Sequence, residues 1–262
     1  MLLALKNLLV NKGEKMNKLI VIMLVLLVRS VNANSIIAMP TERGLAERIK
    51  LVIDRGYITN DRLKQTLFES SGFNSNLLVR AAKRLCKQYD SNTNPVPYHV
   101  LYLIGSFGTT NDLPFVENYL TNALTGLGAV DAYEAINGYN QKTINAAKRF
   151  LAVKNTNDMI ELRINKRRSI KWMLGRLNRF GREGVDKRLF FSFGLECVSN
   201  GVITIHDFDY NINYLEPTYR YSKRRLALLR DLQNRPTNNF MTNYISKAIS
   251  ELVAYPESKL NE

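Results

Sequence analysis

Hydrophobic residues recur at intervals of three and four positions through most of the chain, which is the period of amphipathic α-helices. The segment 98–137 shows this pattern most clearly. In it, one apolar run closes on Gly105, a second begins at Leu113-Pro114, and a third follows Gly128. Short polar links between such runs are typical of antiparallel helices that stack on one another. The pattern predicts an all-α protein built as a helical array.

The same period extends to both sides of this segment. We expect helices at 41–55, from 60 onward, and at 74–89, 98–107, 112–124, 129–136, 141–153, 159–180, 185–198, 218–231 and 239–254. The segment 159–180 forms one helix or two, and its predicted inward residues are Ile160, Ile164, Ile170, Met173, Leu174 and Leu177. The segment 200–216 is the exception: the β-branched residues at 202–205 predict a short irregular or β segment.

A seven-residue pattern occurs twice, as VRAAKRL at 79–85 and as INAAKRF at 144–150. The offset of 65 positions is about two units of a helical-hairpin repeat. Together with Leu103-Ile104-Gly105 and the run Asn111-Asp112-Leu113-Pro114-Phe115, these residues resemble the HEAT-repeat family, especially its short bacterial subtype. The resemblance covers roughly residues 74–153 and fades after Lys154.

The resemblance implies an α–α superhelix that binds other proteins and has no catalysis or cofactor of its own. Each hairpin of such an array completes its core by stacking on its neighbours, which leaves a long surface free for a partner. We therefore expect HEAT-like repeats at 34–157 and a basic helical half at 158–262, packed on the same array.

The first 33 residues carry the features of a secretory signal peptide. Lys18 precedes ten apolar residues at 19–28, and the small residues at 31 and 33 fit a cleavage site after Ala33. Ten residues are too few to span a bilayer, which needs about 20. Met16 is then the expected start, and 1–15 is an upstream extension. An uncleaved anchor or a buried helix remains the alternative. Export to the periplasm or the medium is the expected localisation.

The net charge of +14 predicts an anionic partner, because a positive surface concentrates molecules of opposite charge. Ten Lys and Arg residues lie between Arg163 and Arg188. A solvated helix face is the ordinary explanation of such a run. The alternative is a binding face, with the candidate residues Arg163, Arg167, Arg168, Lys171, Trp172, Arg176 and Arg179. An acidic protein or an anionic envelope surface is the expected partner, and nucleic acid is disfavoured for an exported chain.

The chemistry-bearing residues are few. His206, Asp207 and Asp209 form the one cluster in the sequence that fits a metal site or acid–base catalysis, as in a small exported hydrolase. A structural loop whose aspartates cap turns is the other interpretation. The two cysteines, Cys86 and Cys197, sit within helical patterns, which favours buried free thiols over a disulfide. We expect no metal site and no cofactor.

Overall fold

The structure is a computed structural model that describes residues 40–56, 59–89, 95–154, 160–180, 184–212, 215–235, 237–256 and 259–261. The expected signal peptide at 1–33 lies outside these residues. Glu42–Glu262 form one compact unit, and everything below concerns that unit. In the part of the chain that the structure describes, no helix is both long and apolar enough to cross a membrane.

The described residues form twelve α-helices and no β-strand, which confirms the all-α prediction. The helices are α1 (Glu42–Asp54), α2 (Asn60–Ser70), α3 (Ser75–Cys86), α4 (Tyr98–Phe107), α5 (Leu113–Glu117), α6 (Gly126–Asn137), α7 (Gln141–Leu151), α8 (Ile160–Phe180), α9 (Lys187–Ser199), α10 (Ile205–Asn211), α11 (Lys223–Gln233) and α12 (Asn239–Val253). Two short 3₁₀ helices, Thr110–Asp112 and Pro217–Tyr221, connect them. A single parallel bridge joins Ser222 to Asn261.

Most helices begin where a polar side chain caps them. The side-chain oxygen of Asn74 accepts a hydrogen bond from the Leu77 N–H at 2.9 Å, and that of Asn140 accepts one from the Lys142 N–H at 2.9 Å. Such caps satisfy backbone donors that have no partner within the helix. Because the caps are local, they explain why most predicted helix starts lie within a few residues of the observed ones.

Helices pack on their next or next-but-one neighbours in the chain. The helix α3 packs on both α1 and α4, and α6 packs on both α4 and α7. The crossing of α4 and α6 is close at Gly105, where an added Cβ would lie 2.7 Å from the Cα of Ala132. Glycine at this point allows the two backbones to approach. The Leu-Ile-Gly pattern of the sequence therefore marks a helix contact.

The two copies of the AAKR pattern occupy equivalent places in α3 and α7. In each helix the alanine pair, Ala81-Ala82 or Ala146-Ala147, is buried. The following cations point outward and bind carboxylates on other helices or turns. These ion pairs are Lys83–Asp112, Arg84–Glu42, Lys148–Glu196 and Arg149–Glu117. The repeated sequence thus gives the same division into a packed face and a charged face twice.

Two predicted elements differ in extent. The helix expected at 112–124 ends at Glu117, and the Asn122 side chain accepts hydrogen bonds from the N–H groups of Leu124 and Thr125. That side chain offers the backbone a turn in place of a helix. The helix expected at 218–231 begins at Lys223, after the 3₁₀ turn, because Ser222 accepts a hydrogen bond from Arg225 N–H and caps it.

The segment 200–216 is irregular only in part, and the strand alternative for 202–205 is wrong. Thr204 caps α10 by accepting a hydrogen bond from the Asp207 N–H at 3.0 Å, and the Asp207 carboxylate accepts one from the Thr204 N–H. This reciprocal capping box starts a helix at Ile205 despite the β-branched residues. Cys86 and Cys197 are both buried and do not form a disulfide with each other, as the helical patterns predicted.

Candidate binding surface on the basic helix

Most of the basic segment lies in one helix, α8, whereas Lys187 and Arg188 begin α9. The helix α8 packs on α6, α7, α9 and α10. Ile170, Met173, Leu174 and Leu177 are fully buried, as predicted. The helix is therefore a structural element as well as a carrier of charge, and its neighbours decide which cations reach solvent.

The prediction that Ile160 and Ile164 point inward is wrong. Their exposed fractions are 64% and 43%. Leu162 and Ser169 are buried instead. The two isoleucines thus lie outside the buried stripe of α8, because α7 and α9 cover a different side of its first turns. Two large apolar side chains consequently remain at the surface, next to several cations.

Arg176 is part of a buried network between α8 and α6. Its Nη2 donates to Oδ1 of Asp131 at 2.9 Å and to Oε2 of Glu134 at 2.8 Å. The hydroxyl of Tyr98 donates to Asp131 at 2.9 Å, and that of Tyr139 donates to Glu134. Both carboxylates are about 95% buried. The guanidinium of Arg176, a side chain that is 31% exposed, is therefore held by two buried carboxylates, and the candidate face loses one of its members.

Burial and the charges of Arg176, Asp131 and Glu134 together set the pKa values in this network. Burial raises the pKa of both Asp131 and Glu134, and it outweighs the attraction of Arg176. One guanidinium faces two carboxylates, so full ionisation would leave a buried net negative charge. The same carboxylates raise the pKa of Arg176 against the effect of burial.

Arg167 and Lys171 converge on one acidic side chain. Nη2 of Arg167 lies 2.7 Å from Oδ2 of Asp207, and Nζ of Lys171 lies 2.8 Å from its Oδ1. Asp207 is 5% exposed, whereas the two cations are about half exposed. Burial works to raise the pKa of Asp207, but hydrogen bonds from Lys171, Thr204 and Arg167 outweigh it and lower that pKa.

The remaining candidates are spread over different sides of α8. Arg163 and Arg168 are exposed, and Arg179 is exposed near the end of the helix. Trp172 is 40% exposed, and its ring lies edge-on to Tyr98 with a centroid separation of 6.2 Å. The structure therefore brings Arg163 and Arg167 into one groove, directs Arg179 to a different cavity, and places Arg176 inside.

The groove lies between α7, α8 and α9 and has a volume of about 760 Å³. We call it the isoleucine groove. Its apolar lining includes Ile160, Ile164, Phe193 and Val202, and its charged lining is Lys148, Arg163, Lys166, Arg167 and Glu196. Among the described residues, Glu196 pairs with Lys148, while Arg167 shares Asp207 with Lys171, so Lys166 and Arg167 keep the groove positive. Concave, mainly apolar surfaces with a few charged groups are where proteins usually hold ligands or peptides.

Lys166 also caps the carboxyl end of α7, which borders the groove. Its Nζ donates to the carbonyl oxygens of Leu151 at 2.7 Å and Val153 at 2.6 Å, at the carboxyl end of α7. Burial lowers the pKa of Lys166. Hydrogen bonds to carbonyl groups do not cancel its charge as a carboxylate would, so Lys166 still contributes to the positive potential of the groove.

The cluster at His206, Asp207 and Asp209 does not form one site: His206 and Asp209 line a common cavity, and Asp207 is not part of its lining. Asp207 binds Arg167 and Lys171 on α8. Oδ2 of Asp209 lies on the other side, 2.8 Å from Nη2 of Arg225, and accepts a hydrogen bond from Tyr244 at 2.5 Å. Among the described residues, no group of three His, Cys, Asp or Glu side chains is placed to hold a metal ion.

Several functional residues were missed from the sequence. Asp131 and Glu134 carry a signal that was readable: they lie three positions apart inside an apolar helix, so both face the same buried side. Nothing in the sequence indicated in the same way that Arg225 is buried. It stands among neighbouring cations at 223–225, and only the fold shows that it is 94% buried against Asp209.

The comparisons with known proteins found no relative of this chain. No protein family matches it, and it matches none of the curated proteins and none of the solved structures with which it was compared. Its function is therefore inferred from its own geometry.

Proposed function

We propose that the protein is a non-catalytic helical binding protein whose isoleucine groove docks an acidic, amphipathic segment of a partner protein. The observation that carries the proposal is the position of Ile160 and Ile164. These side chains are 64% and 43% exposed in a concave surface that four cations line. Exposed large apolar residues surrounded by charges are typical of interaction sites.

The chemistry of the groove selects its occupant. Each isoleucine gains roughly 1–2 kcal/mol when a partner covers its exposed part. The cations at the edge favour acidic side chains, which increase the association rate and suppress basic partners. A helix with apolar residues at helical spacing and acidic residues beside them satisfies both requirements. A flat anionic lipid surface satisfies only the charge, because it does not enter a groove.

Two further parts of the proposal concern architecture and compartment. The equivalent division of α3 and α7 into a packed and a charged face supports a HEAT-like repeat arrangement. The pattern at residues 16–33 supports export, so that the partner is met in the periplasm or outside the cell. N-terminal sequencing of the protein recovered from cell fractions tests the second part, with Asn34 as the expected first residue.

Fluorescence anisotropy with a labelled synthetic helix of Glu and Leu at amphipathic spacing tests the groove. We expect saturable binding that weakens as salt is added, and a loss of about tenfold or more in Ile160→Ser/Ile164→Ser and in Arg163→Glu. Leu51→Ser and Arg62→Glu are the matched controls, since both residues are exposed on other helices. The controls retain the affinity of the wild-type protein.

The alternatives are distinguished by two further probes, anionic lipid vesicles and a single-stranded oligonucleotide. If either probe binds more tightly than the acidic helix, or if the isoleucine variants bind the helix as the wild type does, the groove is not the docking site for an acidic protein.

A further inference from the structure

A second cavity, separate from the isoleucine groove, lies where the end of α8 meets α10, α11 and α12. Its volume is about 640 Å³. Besides the buried Arg225, its lining includes three exposed cations from three different elements: Arg179 of α8, Arg220 of the second 3₁₀ helix and Lys247 of α12. We call it the tri-cation cavity. Its residues share no member with the lining of the isoleucine groove.

The three cations are not neutralised within the described part of the chain. Arg179, Arg220 and Lys247 are exposed, and none of them forms an ion pair with a described carboxylate. Two acidic residues, Asp209 and Glu251, also line the cavity. Asp209 is already bound to Arg225 and Tyr244, so Glu251 is the other carboxylate that the described lining offers beside the three cations. The cavity therefore holds an excess of positive charge.

The wall of the cavity is fixed by buried contacts. Arg225 is 94% buried, its Nη2 binds Asp209, and its Nη1 donates to the carbonyl oxygen of Arg220 at 3.0 Å. This second bond ties the backbone of Arg220 to the wall. Oδ1 of Asp209 and Nε of Arg225 are buried and have no hydrogen-bond partner among the described residues. The wall therefore contains one acceptor and one donor whose hydrogen bonds are not made within the described part of the chain.

We propose that the tri-cation cavity binds a small organic molecule that carries a phosphate or sulfate ester group. Guanidinium and ammonium groups that line one cavity from separate elements suit the oxygens of such a dianion. The size of the cavity decides between an ester and a bare ion, because pockets of about 300–1,000 Å³ enclose whole organic ligands. Tyr210, which is 74% exposed in the lining, offers a ring surface for the organic part.

Isothermal titration calorimetry with a hexose phosphate, the same hexose without phosphate, and inorganic phosphate tests the proposal. We expect the hexose phosphate to saturate the protein by about 10 mM, inorganic phosphate to bind more weakly, and the free hexose not to bind. Arg179→Ala/Lys247→Ala lowers the affinity for the hexose phosphate by about tenfold or more. The variant Arg168→Ala, on another side of α8, is the matched control.

Two results would overturn the proposal. One is the absence of saturable binding by the hexose phosphate, whether or not inorganic phosphate binds. The other is an equal loss of affinity in the Arg168→Ala control and in the double variant, which would show a diffuse charge effect. Because all three substituted residues are exposed, circular dichroism of each variant is expected to match that of the wild type, so that a folding defect does not imitate a binding defect.

Discussion

The guanidinium of Arg176 on α8 lies 2.9 Å from a carboxylate oxygen of Asp131 on α6, although the two residues are 45 positions apart in the chain. This contact joins the helices of the first half to the basic helix of the second half. It also removes one cation from the surface on which the sequence placed it.

Replacing Arg176 with Met is expected to destabilise the protein by about 3 kcal/mol, because two buried carboxylates lose their counter-ion. Urea unfolding measures the change. The matched control, Arg168→Met on the same helix, changes the stability by about 0.5 kcal/mol or less, as is usual for exposed residues. Adding Asp131→Asn and Glu134→Gln to Arg176→Met is expected to restore part of the loss. A further decrease in the triple variant would contradict the charge argument.

The network also predicts how stability changes with pH. The ordinary pKa values of Asp131 and Glu134, 3.8 and 4.5, are raised in the folded protein. Stability from these groups is therefore complete below those values and decreases as pH rises toward the folded pKa values. We expect the stability of Asp131→Asn/Glu134→Gln to decline less than that of the wild type between about pH 4 and pH 7. Parallel curves for the two proteins would refute the raised pKa values.

Asp207 predicts the opposite dependence. Its pKa lies below the ordinary value of 3.8 in the folded protein, so its contribution is present above 3.8 and is lost as pH falls through the lower, folded value. The variant Asp207→Asn is expected to be less stable than the wild type at about pH 7, and this deficit shrinks toward pH 3. Chemical denaturation at a series of pH values measures the deficit. A deficit that stays constant over the range would show that Asp207 acts only through its capping hydrogen bonds.

The contact of Gly105 with Ala132 predicts an asymmetry between two glycines. In Gly105→Ala the new Cβ meets backbone at 2.7 Å, so α4 and α6 must separate, which costs about 1–3 kcal/mol. In Gly128→Ala the nearest atoms belong to the side chain of Leu101, at 3.2 Å, and can adjust. Thermal unfolding is expected to show a lower midpoint for Gly105→Ala alone. Equal midpoints would mean that α4 and α6 lie farther apart at Gly105 than they do in the structure.

The sequence by itself determined the all-α class and most helix starts. These features depend on the period of apolar residues and on capping side chains such as Asn74 and Asn140, which act within a few positions of themselves. It also showed that the positive charge is concentrated in 163–188. It failed at 205–211, where the local Thr204–Asp207 capping box outweighed the β-branched residues.

The tertiary structure alone decided which cations reach solvent. Periodicity gives the angle of a residue around its helix, but not which neighbours cover that side. Arg176 is drawn inward by Asp131 and Glu134, while Ile160 is left exposed because the covered side of α8 passes beside it. An ion pair between residues 45 positions apart has no local signature, because its energy depends on a distance that the whole fold sets.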